Sequence, residues 1–283
     1  MNALILALAA LVFSRLIAAD RIEPYRQQMV NVIEKIAAAL PKSLRLPLII
    51  SAALTIGAIV AHLPLVGTVA TFFTLVLILP YGRVTESSKD ILTELRNGSF
   101  SQAQIKLSEF SGTDASQLDE NGVSRIAVET VTLKLAEQVF IPLTWFALGG
   151  LPGVLLYWAS SVVSRKYDPG EASNRWVSLL NWIPIRLIAL TLGFMGDRER
   201  SRSAWTREAH KFSDPETGIL IAATAGALRV KLGGSRCIQG LIKQEPIVGD
   251  PDDAARYHIE ETLSLAERSL LLWFVAALVI TAF

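Results

Sequence analysis

The residues best able to do chemistry in this chain are carboxylates and guanidinium groups set in or beside apolar segments. Glu129 and Glu137 stand eight residues apart, close to two helical turns, so a helix entering a membrane would carry both on one face. With Asp114 they form a candidate set for a hard cation, which prefers carboxylate oxygens. The plainer alternative is that all three are solvated or salt-bridged acids. Arg186 lies inside an apolar stretch, where a guanidinium costs about 2.5 to 3.5 kcal/mol on insertion scales unless it meets a partner or water. It is therefore an anion-binding group in a polar cavity, a partner of Glu129 or Glu137, or a side chain reaching for the interface. Arg15 sits near the end of its own apolar run and fits the last of these.

The remaining reactive residues say less. His62, His210 and His258 are scattered without ligand spacing, so no metal is assigned to them; His210 lies near Arg207 and Glu208, which gives it a weak claim to a site. Cys237 is the single cysteine, which excludes an internal disulfide and a cysteine-built metal cluster. Leu232-Gly233-Gly234 lacks the lysine and hydroxyl of a phosphate-binding P-loop and reads as the end of a helix. Gly149-Gly150-Leu151-Pro152-Gly153 could expose backbone groups to a substrate at mid-membrane or serve close helix packing. Trp145, Trp158, Trp176, Trp182 and Trp273 read as interface or lipid-facing anchors, and Trp205 as core outside the membrane.

The elements that must position these groups are membrane helices. The chain has 283 residues, 51% hydrophobic and 19% charged, with a mean hydropathy of +0.41; such a surface is poorly suited to water. The apolar residues gather into long runs, as spans do. A net charge of +1 gives no reason to expect a nucleic-acid partner. The runs are Met1 to Ala19, about Leu46 to Leu63, Val66 to Tyr81, Phe140 to Val163, Val177 to Gly196 and Ser269 to Phe283. The first is read as a retained helix, since no small-residue cleavage site precedes Asp20. The second and third are separated only by Pro64 and Leu65, as in a tight helical hairpin. The glycine and proline cluster in the fourth predicts a kink or two half-helices.

Threading six spans places the 20–45, 82–139 and 197–268 loops on one side, with nearly all the lysine and arginine, and the positive-inside rule makes that side cytoplasmic. Both termini then face outward. Residues 82–139 predict helices at Arg83 to Leu95 and Ser101 to Phe110, with Ser101 as a cap, then a break at Gly112 and a further helix through Ile126 toward the fourth span. Residues 197–268 predict a helix at Trp205 to Phe212, a turn at Asp214-Pro215, a helix over Gly218 to Leu232 ended by Gly233-Gly234, a loop from Glu245 to Asp253, and an amphipathic lead from Tyr257 into the last span. No strand pattern is evident. The expected fold is all-α: a polytopic membrane protein of about six transmembrane helices with two helical cytoplasmic segments. Its parts are 1–81, 82–139, 140–196, 197–268 and 269–283, in a bacterial inner membrane.

Some segments carry a resemblance. Ile105-Lys106-Leu107-Ser108, Gly112, Asp114, Ser116-Gln117-Leu118 and Val128-Glu129-Thr130-Val131, with Pro142-Leu143 and Gly149-Gly150, are similar to the CobD/CbiB family, the adenosylcobinamide-phosphate synthases. Ala225-Gly226-Ala227-Leu228, Leu232-Gly233-Gly234, Gly240, Pro246 and Gly249-Asp250 resemble that family's second signature. The likeness runs over roughly residues 90 to 275. Asn181-Trp182-Ile183-Pro184-Ile185-Arg186-Leu187 and Leu11-Val12-Phe13-Ser14-Arg15-Leu16 look more like AmpE, a membrane protein of the same superfamily associated with β-lactamase induction.

The CobD/CbiB resemblance implies amide formation between adenosylcobyric acid and an aminopropanol unit, with ATP and a divalent metal, Mg²⁺, as the accompanying cofactors. On it Glu129, Glu137 and Arg186 are the candidate catalytic residues, and Lys106, Asp114, Arg207, Glu208 and Asp214 the candidate substrate-binding ones. The chain departs from the family pattern in several places. Leu133 and Lys134 stand where active members carry glutamate and asparagine, Gln138 replaces a glycine, and Ser161 and Ser164 replace an asparagine and an aspartate. Val177 and Ser178 replace an aspartate pair, and Asp214-Pro215-Glu216 replaces Ser-Pro-Asn. Serine and valine hold a hard cation poorly. The resulting expectation is a divergent or non-catalytic relative that signals or regulates at the membrane, linked to the cell envelope or β-lactamase induction. The alternative is the synthase itself. The expected ligand is accordingly a corrinoid or a cell-wall-derived molecule, and a homo-oligomer stays open.

Overall fold

The computed structural model of the chain describes residues 2–17, 19–167, 171–238 and 241–282. Long apolar runs become helices because a chain in lipid must satisfy every backbone N–H and C=O within itself. The elements are α1 (Asn2–Leu16), α2 (Ala19–Ala39), α3 (Lys42–Ala61), α4 (Pro64–Ile78), α5 (Tyr81–Arg96), α6 (Phe100–Ser111), α7 (Glu120–Leu135), α8 (Ile141–Tyr167), α9 (Glu171–Met195), α10 (Arg198–Glu208), α11 (Pro215–Leu228), β1 (Lys231–Ile238), β2 (Leu241–Gly249) and α12 (Tyr257–Ala282). Among the described residues five helices are long and apolar enough to cross a membrane, or six if the bent pair of α1 and α2 counts as one span. The expected count of about six spans agrees. The first span does not arise as expected, however: α1 has 15 residues and passes the length test only with α2, at a bend of 120°.

The chain divides into two compact units. The first comprises Met1–Arg83, Glu137–Pro184 and Ala277–Phe283. Here residues 20–45, expected as a connecting loop, are largely helical instead, as α2 and the start of α3. Tyr25, Met29, Val32, Ile33 and Ile36 recur at helical spacing within α2, and an amphipathic face of this kind outweighs the local charge. Ala37 of α2, Ile49 of α3 and Ala159 and Val163 of α8 make one buried cluster. Pro64 opens α4 at its first turn, where a missing N–H costs nothing. α8 is kinked at Gly150, with φ 61 and ψ −149, which is the break that the glycine and proline cluster predicts. Beyond the kink α8 comes so near α3 that a Cβ on Gly57 would lie 2.7 Å from Pro152 Cα. Arg15 lies over the Tyr81 ring at 5.8 Å, and Arg83 pairs with Glu23 at 2.5 Å.

The second unit comprises Val84–Ala136 and Ile185–Ala276. In α5 the buried residues Val84, Ile91, Leu92 and Leu95 follow helical spacing. Gly112 ends α6 in the left-handed conformation, φ 71. Ser101, expected as the cap of α6, lies one residue inside it; Ser99 is at the cap position and its side chain makes no capping bond. Aspartates cap α7, α10 and α11: Asp119 accepts from Gly122 N, Asp197 from Arg200 N, and Asp214 from Glu216 N and Thr217 N. α11 is buried from Gly218 through Ala227. A Cβ on Gly226 would sit 2.5 Å from the Arg200 carbonyl, so this glycine allows α10 and α11 to meet backbone to backbone.

The fold is all-α as expected, and only the expected absence of strands needs correction. β1 and β2 form an antiparallel hairpin, pairing Lys231 with Gly249 and Arg236 with Lys243, with a bulge between Gly233 and Ser235. Gly233-Gly234 therefore does not end a helix, since α11 stops at Leu228, and Glu245 to Gly249 is strand, not loop. Gly233, Gly234 and Pro246 are all residues that interrupt regular strands, and they hide the pattern.

Candidate functional site

The site is built on α7. Asp119 fixes the start of this helix, and its buried face of Val123, Ile126, Ala127 and Val131 holds it in the second unit. The same face carries Glu129, which is fully buried. One turn earlier stands Arg125, whose guanidinium lies 3.5 Å from the Glu129 carboxylate, as i,i+4 geometry permits. The hairpin supplies the rest. Gly233 N donates to Glu129 Oε1 at 2.6 Å, and Arg236 Nη2 donates to Oε2 at 2.7 Å.

Arg125 also spans the bulge, donating to the Gly233 carbonyl and, at 3.0 Å, to the Ser235 carbonyl. Gly233 has φ 86, and a Cβ there would strike the Pro246 carbonyl. Only glycine can turn its N–H toward Glu129 at that point. The bulge is thus the device that aims a backbone donor and Arg236 at one carboxylate.

One carboxylate faces two guanidinium groups, so the cluster carries an excess positive charge. Arg236 Nε is buried and donates to nothing among the described residues. Charge-assisted donors are thus held rigidly around one carboxylate, with one buried donor unspent. The cluster does not suit a divalent cation, because both Glu129 oxygens accept from cationic or amide donors. Among the described residues no group of three or more His, Cys, Asp or Glu side chains is placed to hold a metal ion. Elsewhere on the hairpin Glu245 accepts from Ser213 Oγ at 2.7 Å and pairs with Lys243 at 2.7 Å. Burial pushes its carboxyl up, and the bonds from Lys243 and Ser213 outweigh this and hold it below the ordinary range.

The other expected site residues are spread over several elements. Glu137 belongs to the first unit and Glu129 to the second, with a π-turn over Ala136–Phe140 between α7 and α8. Arg186 is half-buried on α9. Lys106 donates to Glu94 at 2.7 Å, and this bond raises its pKa. Asp114 accepts from Ser116 N at 3.0 Å, which lowers its pKa; its own N–H donates to the Cys237 carbonyl at 2.8 Å, joining this loop to β1. Glu208 accepts from Gly249 N at 2.8 Å, tying α10 to the end of β2. Arg207 is exposed, as is His210, and Asp214 caps α11. The metal set of Glu129, Glu137 and Asp114 is not assembled.

Of the residues where the sequence departs from the family pattern, Ser161 is buried and donates to the Tyr157 carbonyl at 2.9 Å, while Lys134 lies over the Phe110 ring at 5.2 Å. Gly240 lies outside the described residues. Sequence reasoning missed Arg125 and Arg236. The first was signalled by its i,i+4 spacing from Glu129; the second, 107 residues away from Glu129, had no local signal.

A family model described as CobD/Cbib protein matches residues 11–266. The cobalamin biosynthesis protein CobD of Stutzerimonas stutzeri is 32% identical over 224 residues, covering 76% of this chain and 74% of that protein. The protein of the same name from Chromobacterium violaceum is 29% identical over 226 residues, 77% of this chain and 72% of that one. That of Geobacter metallireducens is 35% identical over 208 residues, 69% and 65% respectively. No solved structure matches. These relatives give no support to the AmpE-like, regulatory expectation and favour the cobalamin alternative.

Proposed function

We propose that this chain, which belongs to the CobD/Cbib protein family and is a multi-pass membrane protein, is an amide-forming synthase of cobalamin biosynthesis. It would join adenosylcobyric acid to an aminopropanol unit at the cytoplasmic face of a bacterial inner membrane. The observation that carries this reading is the buried Glu129, the acid of the family motif, held between Arg236, Arg125 and Gly233 N.

The reaction joins a carboxylate to an amine, and ATP with its metal supplies the activation when bound. The protein's own part is to bind and orient anions. Arg236 offers its unspent Nε to a carboxylate or phosphate oxygen, with Arg125 behind it, in surroundings where water competes little. Glu129 acts as a positioning residue: it fixes the Arg236 guanidinium and the Gly233 turn. Arg186 is a second anion-binding candidate, and Glu137 is the acid left to approach the amine; both assignments rest on the family resemblance.

The experiment is rescue of a cobalamin auxotroph lacking this synthase. Rescue by the chain, lost on Arg236→Gln with the protein still in the membrane, is the expected result. Failure of the wild-type chain at normal expression would overturn the reading. The departures at Leu133, Lys134, Ser161 and Ser164 favour a second reading, a non-catalytic relative, and the same experiment separates the two.

A further inference from the structure

A cavity of about 700 Å³ lies within the second unit, where the end of α9 and the middle of α12 meet α10. Its apolar wall is Leu190, Phe194 and Leu272, on two helices long and apolar enough to cross a membrane. Its other wall is α10, which presents Arg198, Arg202 and Trp205. Arg198 and Arg202 are one turn apart and share a face. Neither makes an ion pair among the described residues, and no lining residue is acidic. Asp197, beside the cavity, is already engaged by Arg200 N at 3.0 Å and by Arg229 at 2.9 Å. Leu190 and Phe194 are 57% and 58% exposed, so the apolar wall opens outward from the protein.

We propose that this cavity binds one anionic phospholipid, its phosphate between Arg198 and Arg202 and its acyl chains along Leu190, Phe194 and Leu272. Charge complementarity selects the headgroup. Two guanidinium groups without acidic partners, set at the end of a span, are built for a phosphate held at the membrane surface. Trp205 adds an amphipathic ring of the kind that settles at headgroup level. A soluble phosphate would use the arginines and leave the apolar wall bare, whereas a lipid uses both. The site is separate from the Glu129 cluster, and the proposal is independent of the synthase reading.

The test uses the full-length protein in nanodiscs of phosphatidylcholine doped with phosphatidylglycerol, with lipid retention counted by native mass spectrometry. The wild type is expected to retain phosphatidylglycerol over phosphatidylcholine. R198Q/R202Q, which keeps the side-chain stems and is checked for unchanged melting in pure phosphatidylcholine, is expected to hold it about 30-fold more weakly, from about fivefold per lost cation. R198K/R202K is expected to recover most of the preference. Equal retention of the two lipids by the wild type, or an unchanged preference in R198Q/R202Q, would overturn the proposal. Displacement of the lipid by millimolar inorganic phosphate would also overturn it, assigning the arginines to a soluble phosphorylated ligand.

Discussion

Arg236 on the hairpin and Glu129 on α7, 107 residues apart in the chain, meet at 2.7 Å with Glu129 fully buried. A carboxylate in such a place is tolerated because each oxygen accepts from a donor already fixed by the fold. The pair ties a helix with a legible sequence pattern to a hairpin with none.

Truncating one member should therefore cost more than a surface pair would. Glu129→Ala leaves Arg236 and Arg125 facing each other without their shared acid, and is expected to destabilise the protein by about 3 to 5 kcal/mol. Denaturation of the purified protein in detergent measures this. A loss below about 1 kcal/mol, the size of an exposed ion pair, would mean that Glu129 is not held as described.

Two glycines with the same backbone hand should respond differently to alanine. Gly98 has φ 74 with nothing within 4 Å of a Cβ, so Gly98→Ala is expected to cost about 1 to 2 kcal/mol from conformation alone. Gly233 has φ 86 and the Pro246 carbonyl in the way, which adds about 1 to 3 kcal/mol of overpacking. Gly233→Ala should also weaken anion binding, because it moves the donor to Glu129. Equal melting shifts for the two variants would contradict the bulge geometry.

The cap of α10 sets a pH dependence. The Arg200 N–H, with Arg229 beside it, holds the Asp197 carboxyl below its ordinary 3.8. A carboxyl depressed on folding stabilises the protein above its ordinary pKa, and that contribution is lost as pH falls through the folded value. Melting followed from pH 6 down to about 3 should thus fall more steeply for wild type than for Asp197→Asn. Parallel curves would show that the cap carries no linked charge.

Much of the helical frame is visible in the residues themselves. Pro64 and Leu65 mark the hairpin of α3 and α4, and Gly150 marks the kink of α8, because chain breakers between long apolar runs leave few alternatives. The amphipathic α2 is hard to read from its residues, because its charges resemble those of a connecting loop. The hairpin was hidden by Gly233, Gly234 and Pro246, whose roles are set by a cross-strand partner and not by their neighbours. Glu129 stood out through its motif. Arg236 did not, because a contact across 107 residues leaves no periodic trace.

The most direct measurement supplies the purified full-length protein in nanodiscs with adenosylcobyric acid, an aminopropanol substrate, ATP and Mg²⁺, and follows the amide product by mass spectrometry. The account predicts product from the wild type and at least about a 100-fold lower rate from Arg236→Gln, the size of losing one preorganised charged donor. It would be contradicted by a folded wild-type protein that forms no amide, or by an Arg236→Gln variant that forms it at the wild-type rate.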